Sequence, residues 1–194
     1  MIDQIVQDIL SSGWSYQQNV VDKLTLKALA PLFETEFLPA QVGSSLQRQR
    51  NEEIRGDWTK WLDPHDPPRE IHALVELLHR LKQEFNERFY LGLKDVEFHL
   101  AKYSAGSFYK KHSDRFESDS SRSVTFIFYL HQEWNASFGG ELVLYNKKNE
   151  ILKEILPEPG SMVIFMSEDF PHEVKICSAE RRSFTGWIHT KILT

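Results

Sequence analysis

The feature that most constrains this chain is the texture of its second half. Between Val96 and Thr190 it runs through short stretches rich in β-branched and aromatic residues, each closed by turn-formers: VEFHLAKY, SVTFIFYL, GELVLYN, EILKEILP, SMVIFMS, HEVKIC and RRSFTGWIHT. Strands this short at such spacing specify a sandwich, a jelly roll or a small barrel. The first half reads mostly helical. Asp22 is placed to cap KLTLKALAPLFETEF. In REIHALVELLHRLKQEFNERF, residues 69–89, Ile71, Leu74, Val75, Leu78, Leu81 and Phe85 recur at helical spacing behind Pro67-Pro68. One-sided helices of this kind must bury their apolar face, and the expected place is one face of the β-structure. The polar stretch SSLQRQRNEEIRGDWTKWLDPHDPP, with Gly56, Asp57 and Asp63-Pro64, reads as a loop with a short hairpin. Without repeats, low-complexity tracts or a long linker, residues 1–194 are expected to form one α+β, mainly β domain. Residues 1–93 would supply mostly helical support and 94–194 the β-rich core.

Charge and composition narrow the function. The net charge is −5, and the basic residues come as isolated pairs (Lys110-Lys111, Lys147-Lys148, Arg181-Arg182), which argues against a nucleic-acid partner held by phosphate contacts. No apolar run approaches the roughly 18 residues that cross a bilayer. Asp3 and Asp8 stand where a secretory leader needs basic charge, so the expectation is a cytoplasmic protein with no membrane partner. Cys177 is the only cysteine, which excludes an intramolecular disulfide and reads as a packing thiol.

Chemistry enters at His112-Ser-Asp114, in FYKKHSDRFESD. With eight histidines and ten aspartates, a chain of this length contains an H-x-D by chance about four times in ten, so the motif needs a third ligand. Two imidazoles and one carboxylate leave three positions open on ferrous iron, the arrangement an oxygen-activating site needs. Strand alternation would place His112 and Asp114 on one face, and His172, 58 residues beyond Asp114 in EDFPHEVKIC, is the best third ligand. Nine residues later, alternation puts Arg181, Ser183 and Thr185 on one face of RRSFTGWIHT, with Phe184 and Ile188 on the other and Arg182 out in solvent. A cation on an inward strand face makes sense if that face lines a cavity for an anionic ligand.

In this order and spacing, His112-x-Asp114, His172 and Arg181-x-Ser183 resemble the iron(II)- and 2-oxoglutarate-dependent oxygenases. Within them the chain is most similar to the prolyl hydroxylase-domain group, through IRGDWTKWLD, AKYSAGSFYKKHSD, RSVTFIFYLHQEWNASFGGELVLY, PHEV and RRSFTGWIH. The resemblance implies a double-stranded β-helix, the cupin-like jelly roll, with supporting N-terminal helices packed on one sheet. It assigns the iron to His112, Asp114 and His172, and the distal carboxylate of 2-oxoglutarate to Arg181 and Tyr129. Tyr103 would stand near the chelating end, and Thr185, Ser183 and Leu142 would line the same pocket. Arg55 and Asp57, in the polar loop, and Tyr109, at the iron mouth, would touch substrate, while Lys110 and Lys111 form a solvated rim and RFESD begins a lid.

The implied reaction hydroxylates C4 of a prolyl residue in a protein, such as a translation or transcription factor, using Fe(II), 2-oxoglutarate and O2 and releasing succinate and CO2. Ascorbate has a place as reductant. A small-molecule or other side-chain oxygenase on the same scaffold is the alternative, and a non-catalytic cupin-like metal-binding module is a further one. His72 and His79, seven apart on one helix, lie two turns apart and read as surface or packing residues. His65, His99, His131 and His189 have no carboxylate at useful spacing and are left outside the site.

Overall fold

The computed structural model of the chain describes residues 1–42, 50–115 and 120–193. In chain order the elements are α1 (Ile2–Ser12), β1 (Trp14–Gln17), α2 (Lys23–Leu29), β2 (Leu38–Pro39), β3 (Trp58–Trp61), α3 (His72–Phe89), β4 (Asp95–Tyr103), β5 (Tyr109–His112), β6 (Arg122–Tyr129), β7 (Leu142–Tyr145), β8 (Ile151–Ile155), β9 (Met162–Met166), β10 (His172–Val174) and β11 (Arg181–His189). They form a seven-stranded sheet ordered β1-β9-β6-β11-β4-β3-β2 and a four-stranded sheet ordered β5-β10-β7-β8. Two antiparallel sheets facing each other with this crossed connectivity are a jelly roll.

Alternation along the central strands divides the interior into two layers. Phe126, Phe128, Phe184, Ile188, Phe98 and Leu100 leave the large sheet on one side and meet Ile5, Ile9, Leu26, Leu29, Leu74, Leu78, Leu81 and Phe85 of the three helices. Ile127, Tyr129, Ala101, Tyr103, Val163 and Phe165 leave it on the other side and meet Leu142, Leu144 and Val174 from the small sheet, and Cys177 from the segment that follows β10. The core of the first layer is apolar packing between sheet and helices. The second contains the functional site.

The helices form for the reasons legible in the sequence. The Asp22 carboxylate accepts the backbone N–H groups of Leu24 and Thr25 at 2.8 and 2.9 Å, capping α2. The periodic residues Leu74, Val75, Leu78, Leu81 and Phe85 are the buried ones of α3. Helix α2 is shorter than the apolar pattern suggested: it closes at Leu29, and residues from Ala30 to Phe33 tighten into a 3-10 turn with Pro31 in its first turn.

Three strands lie in the half that reads as helix and loop. Trp14–Gln17 pairs with β9 at one edge of the large sheet, although four residues are too few to show an alternating signal. Trp58–Trp61, inside the polar stretch expected to be a loop with a hairpin, pairs with β4 from Trp58↔Lys102 to Trp61↔His99, and β2 pairs with it in turn. Residues 44–49 of that stretch lie outside the described residues.

Candidate active site

The two histidines are brought together by strand pairing. His112, the last residue of β5, stands directly opposite His172, the first of β10, so their rings lie 4.3 Å apart. Asp114 is not on the same strand face as His112, as simple alternation would have it. The strand ends at His112, and Asp114 comes in from the bend that follows. Its two oxygens nevertheless each lie 3.5 Å from a histidine nitrogen, Oδ1 from His112 Nε2 and Oδ2 from His172 Nε2. Among the described residues these three form the one group of His, Cys, Asp or Glu whose ligand atoms all fall within 4.8 Å of one another.

Each imidazole is oriented from behind. His112 Nδ1 meets the Lys110 carbonyl at 2.8 Å, and His172 Nδ1 meets the Phe170 carbonyl at 3.1 Å. Since only an N–H bonds a carbonyl, both Nε2 lone pairs are left facing the centre, as metal-ligating histidines require. Burial pushes His172 down to about 4, so it is neutral and ready to ligate. Burial alone would raise the Asp114 carboxyl, but His172 and His112 beside it outweigh that and hold it well below the usual carboxylate range. The Thr125 hydroxyl donates to Asp114 Oδ2 at 2.8 Å and is itself bonded to Ser167 Oγ at 2.8 Å, which pins a carboxylate that no strand holds.

Beneath this set, Arg181 opens β11 at 1% exposure, and its Nε and Nη2 have no hydrogen-bond partner in the protein. The hydroxyl of Tyr129, also fully buried, is in the same state. The guanidinium carbon lies 4.8 Å from the Tyr129 ring centroid and 5.0 Å from that of Tyr103, the cross-strand neighbour of Arg181. Unpartnered buried donors around a full cation are costly unless a ligand completes them. A carboxylate of a small dicarboxylic acid has the charge and the paired acceptors to do so. Ser183 and Leu142 are buried and Thr185 half-buried, with the Thr185 hydroxyl donating to the Phe126 carbonyl at 2.8 Å. Gly140, at φ +70°, gives the cation its space: a Cβ there would stand 3.3 Å from Arg181 Cδ and 3.1 Å from both Cys177 Cβ and the Trp134 ring.

The expected substrate residues gather beside His112. Arg55 makes a two-pronged ion pair with Asp57, Nε at 2.7 Å and Nη2 at 2.6 Å. Its guanidinium carbon lies 4.1 Å from the Tyr109 ring centroid, and Tyr109 stacks on His112 at 3.6 Å. Burial pushes the Tyr109 hydroxyl up to about 12. Lys110 and Lys111 are exposed, as a rim would be. Arg115 pairs with Glu168, tying the bend after Asp114 to the turn before His172. Residues 116–119, where a lid was expected, lie outside the described residues.

Two expectations need correction. Arg182 is not out in solvent: its side chain is 23% exposed and pairs with Glu34 and Glu180 at 3.1 and 2.7 Å, because the helical layer covers that face of β11. His189 Nε2 does lie 3.0 Å from a carboxylate oxygen, Oε1 of Glu97 on the neighbouring strand, a proximity invisible to sequence spacing. Thr125, which bonds Asp114, and Trp187 opposite it, with Arg122 and Trp61 against the indole, also adjoin the cluster without having been singled out. Parity was the available signal, since Trp187 and His189 share the alternation phase of Arg181.

The fold and these side chains define a class: a jelly roll that clusters two histidines and one carboxylate and also buries an arginine whose Nε and Nη2 have no partner in the protein. A sequence profile of the 2OG-Fe(II) oxygenase superfamily matches residues 98–189, which include the three metal-facing residues and Arg181. The crystal structure of a Pseudomonas putida prolyl-4-hydroxylase superposes with a TM-score of 0.86 at 32% identity, covering 99% of this chain and 100% of that one. A Trichoplax adhaerens prolyl hydroxylase, solved in complex with a hypoxia inducible factor oxygen degradation domain peptide fragment, superposes with a TM-score of 0.83 at 26% identity over 97% of this chain and 89% of that one. An uncharacterized PKHD-type hydroxylase of Synechocystis is 32% identical over 63% of this chain, which spans about half (48%) of that relative's length. This chain belongs to the 2OG-Fe(II) oxygenase superfamily and is prolyl hydroxylase-like within it. Among the described residues, no helix is long and apolar enough to cross a membrane.

Proposed function

We propose that this chain is a peptidyl-prolyl 4-hydroxylase that binds Fe(II) through His112, Asp114 and His172 and 2-oxoglutarate through Arg181 and Tyr129. The observation that carries the reading is the buried Arg181 guanidinium, with Nε and Nη2 unpartnered, set in the same jelly roll as a three-residue ligand set that leaves coordination positions open. A site that only stored a metal would have no use for an anion clamp. With Fe(II), 2-oxoglutarate and O2 bound, the site supplies an oxidation in which one oxygen atom enters a substrate C–H bond and the other leaves in succinate as CO2 is released.

The protein's own contribution is placement. His112 and His172 present Nε2 because their Nδ1–H groups are tied to Lys110 and Phe170 carbonyls, and Thr125 fixes the angle of Asp114. Arg181 and Tyr129 take the distal carboxylate of the cosubstrate, and Thr185, Ser183 and Leu142 keep water from its flanks. Tyr103, the cross-strand neighbour of Arg181, would meet the chelating end. Tyr109, Arg55 and Asp57 form one wall for the peptide. A proline-containing protein segment is favoured as substrate by the full-length likeness to the Pseudomonas prolyl-4-hydroxylase. A translation or transcription factor exposing such a segment fits this reading.

The test is to incubate the iron-loaded chain with 2-oxoglutarate, ascorbate and a library of proline-containing peptides, then look by mass spectrometry for gain of one oxygen on proline. Succinate formed with no oxidised peptide would reject the prolyl substrate and leave a small-molecule or other side-chain oxygenase. Neither succinate nor a visible charge-transfer band with iron and 2-oxoglutarate under anaerobic conditions would leave only a metal-binding module.

A further inference from the structure

On the interior face of the large sheet lies a set of charged groups that neither the metal ligands nor the dicarboxylate pocket uses. Glu97 on β4 stands directly opposite Trp187 on β11. A register shift between Ile188 and His189 brings Arg122 of β6 opposite His189. Glu97 Oε1 accepts from Arg122 Nε at 3.0 Å and Nη2 at 2.8 Å, and His189 Nε2 lies 3.0 Å from the same oxygen. His189 Nδ1 is tied to Ser121 Oγ at 2.9 Å, so the ring cannot turn away. Held by both prongs, the Arg122 guanidinium carbon rests 3.6 Å from the Trp187 ring centroid, at van der Waals contact.

That indole also meets the rings of His99, with centroids 5.6 Å apart, and Trp61, at 6.2 Å. Trp187 stands directly opposite Thr125 of β6, whose hydroxyl bonds Asp114, and this register places the indole close to the metal-facing aspartate. Glu97 and Arg122 are 22% and 17% exposed, so solvent screens their pairing only in part. An arginine at an opening otherwise samples many rotamers. Here the two contacts to Glu97 favour a rotamer that presses the guanidinium on the indole.

We propose that Glu97 is a positioning residue that acts through Arg122 to hold Trp187 as a fixed wall of the opening beside Asp114, so that a bound peptide offers one C–H bond to the metal. The substrate half of this inference rests on the prolyl hydroxylase reading, whereas the ordering of Trp187 does not. The full chain is labelled with fluorotryptophan, loaded with Zn(II) and 2-oxoglutarate, and followed by fluorine NMR, with the Trp187 resonance assigned from Trp187→Phe. Glu97→Ala moves and broadens that resonance and leaves Trp14 and Trp134 in place, while Glu97→Gln, which keeps the shape and guards against misfolding, has a smaller effect in the same direction. An unmoved Trp187 resonance in both variants overturns the proposal.

With a peptide oxidised by the wild type, Glu97→Ala releases about tenfold more succinate per oxidised peptide, because misplacement costs coupling rather than cosubstrate binding. Adding Arg122→Ala brings no further loss. Additive losses, or an unchanged ratio, refute action through Arg122. If the wild type oxidises no prolyl peptide, the substrate assignment fails, and the Trp187 resonance still decides whether Glu97 positions the wall.

Discussion

Replacing Arg181 by Met separates the cost of the anion pocket from its use. In the protein alone, the wild-type residue is 1% exposed with two guanidinium nitrogens unpartnered. Each unmet buried donor costs about 1–3 kcal/mol. The stacking on Tyr129 and Tyr103, with the guanidinium carbon 4.8 and 5.0 Å from their ring centroids, returns only about 0.5–2 kcal/mol in all. Methionine keeps the apolar stem, so Arg181→Met should leave the ligand-free chain as stable as before, or more stable by about 1–2 kcal/mol.

Cosubstrate binding should respond in the opposite direction. Losing a buried, charge-assisted pair costs about 2–5 kcal/mol, a weakening of roughly 30- to 5,000-fold. Thermal unfolding with Mn(II) present reads both effects. At 100 times its Kd, 2-oxoglutarate stabilises the wild type by about 2.7 kcal/mol, an upward shift of about 5–11 °C for a chain of this size. Arg181→Met should unfold at the wild-type temperature or slightly above and show no shift with 2-oxoglutarate at the same concentration. A ligand-free variant that loses about 3 kcal/mol or more, or one that still shifts like the wild type, would refute the reading of Arg181 as a cation held in wait for an anion.

Thr125→Val keeps shape but removes the hydroxyl 2.8 Å from Asp114 Oδ2, and should weaken Mn(II) affinity by about 10- to 100-fold in an EPR titration; unchanged affinity would mean Asp114 needs no tether. Gly140→Ala forces a side chain into a φ of +70° and against Arg181, so urea unfolding should show a loss of about 1–3 kcal/mol together with weaker 2-oxoglutarate binding, and a neutral result would contradict the close packing there. Burial pushes His99 and His131 from the ordinary 6.5 down to about 4. Between those pH values the unfolded chain binds protons that the native chain refuses, so this stability is full above about pH 6.5 and drains away toward pH 4. The slope is at most about 2.7 kcal/mol per pH unit for the two together. Urea midpoints that hold steady or rise from pH 6.5 to 4.5 would contradict it.

Much of the architecture is local and therefore legible. The heptad-like run from Ile71 to Phe85 finds its partner face without regard to what that partner is, and Asp22 caps a helix by bonding its own next turn. The β-rich second half likewise declares itself through alternation, because side chains two apart share a face whatever lies across the strand. The short edge strand Trp14–Gln17 is the counterexample: it is a strand because β9 offers an unpaired edge, a fact about distant residues.

For the site, the residue types and their order along the chain already restricted the chemistry. Two histidines, one aspartate and a strand-borne arginine in that sequence suit a metal and a dicarboxylate, and the likeness to the oxygenases rests on them. Tertiary structure alone decided how they meet. It set His112 opposite His172 across a strand pair, brought Asp114 in from a bend rather than along the strand, and left the Arg181 nitrogens buried without a partner. The same holds for Thr125 behind Asp114 and for Glu97 holding Arg122 on Trp187. The physical reason is that ligand identity is a property of one side chain, whereas distance, burial and unmet hydrogen bonds are properties of pairs, and in an antiparallel jelly roll those pairs are set by sheet register between residues far apart in the chain.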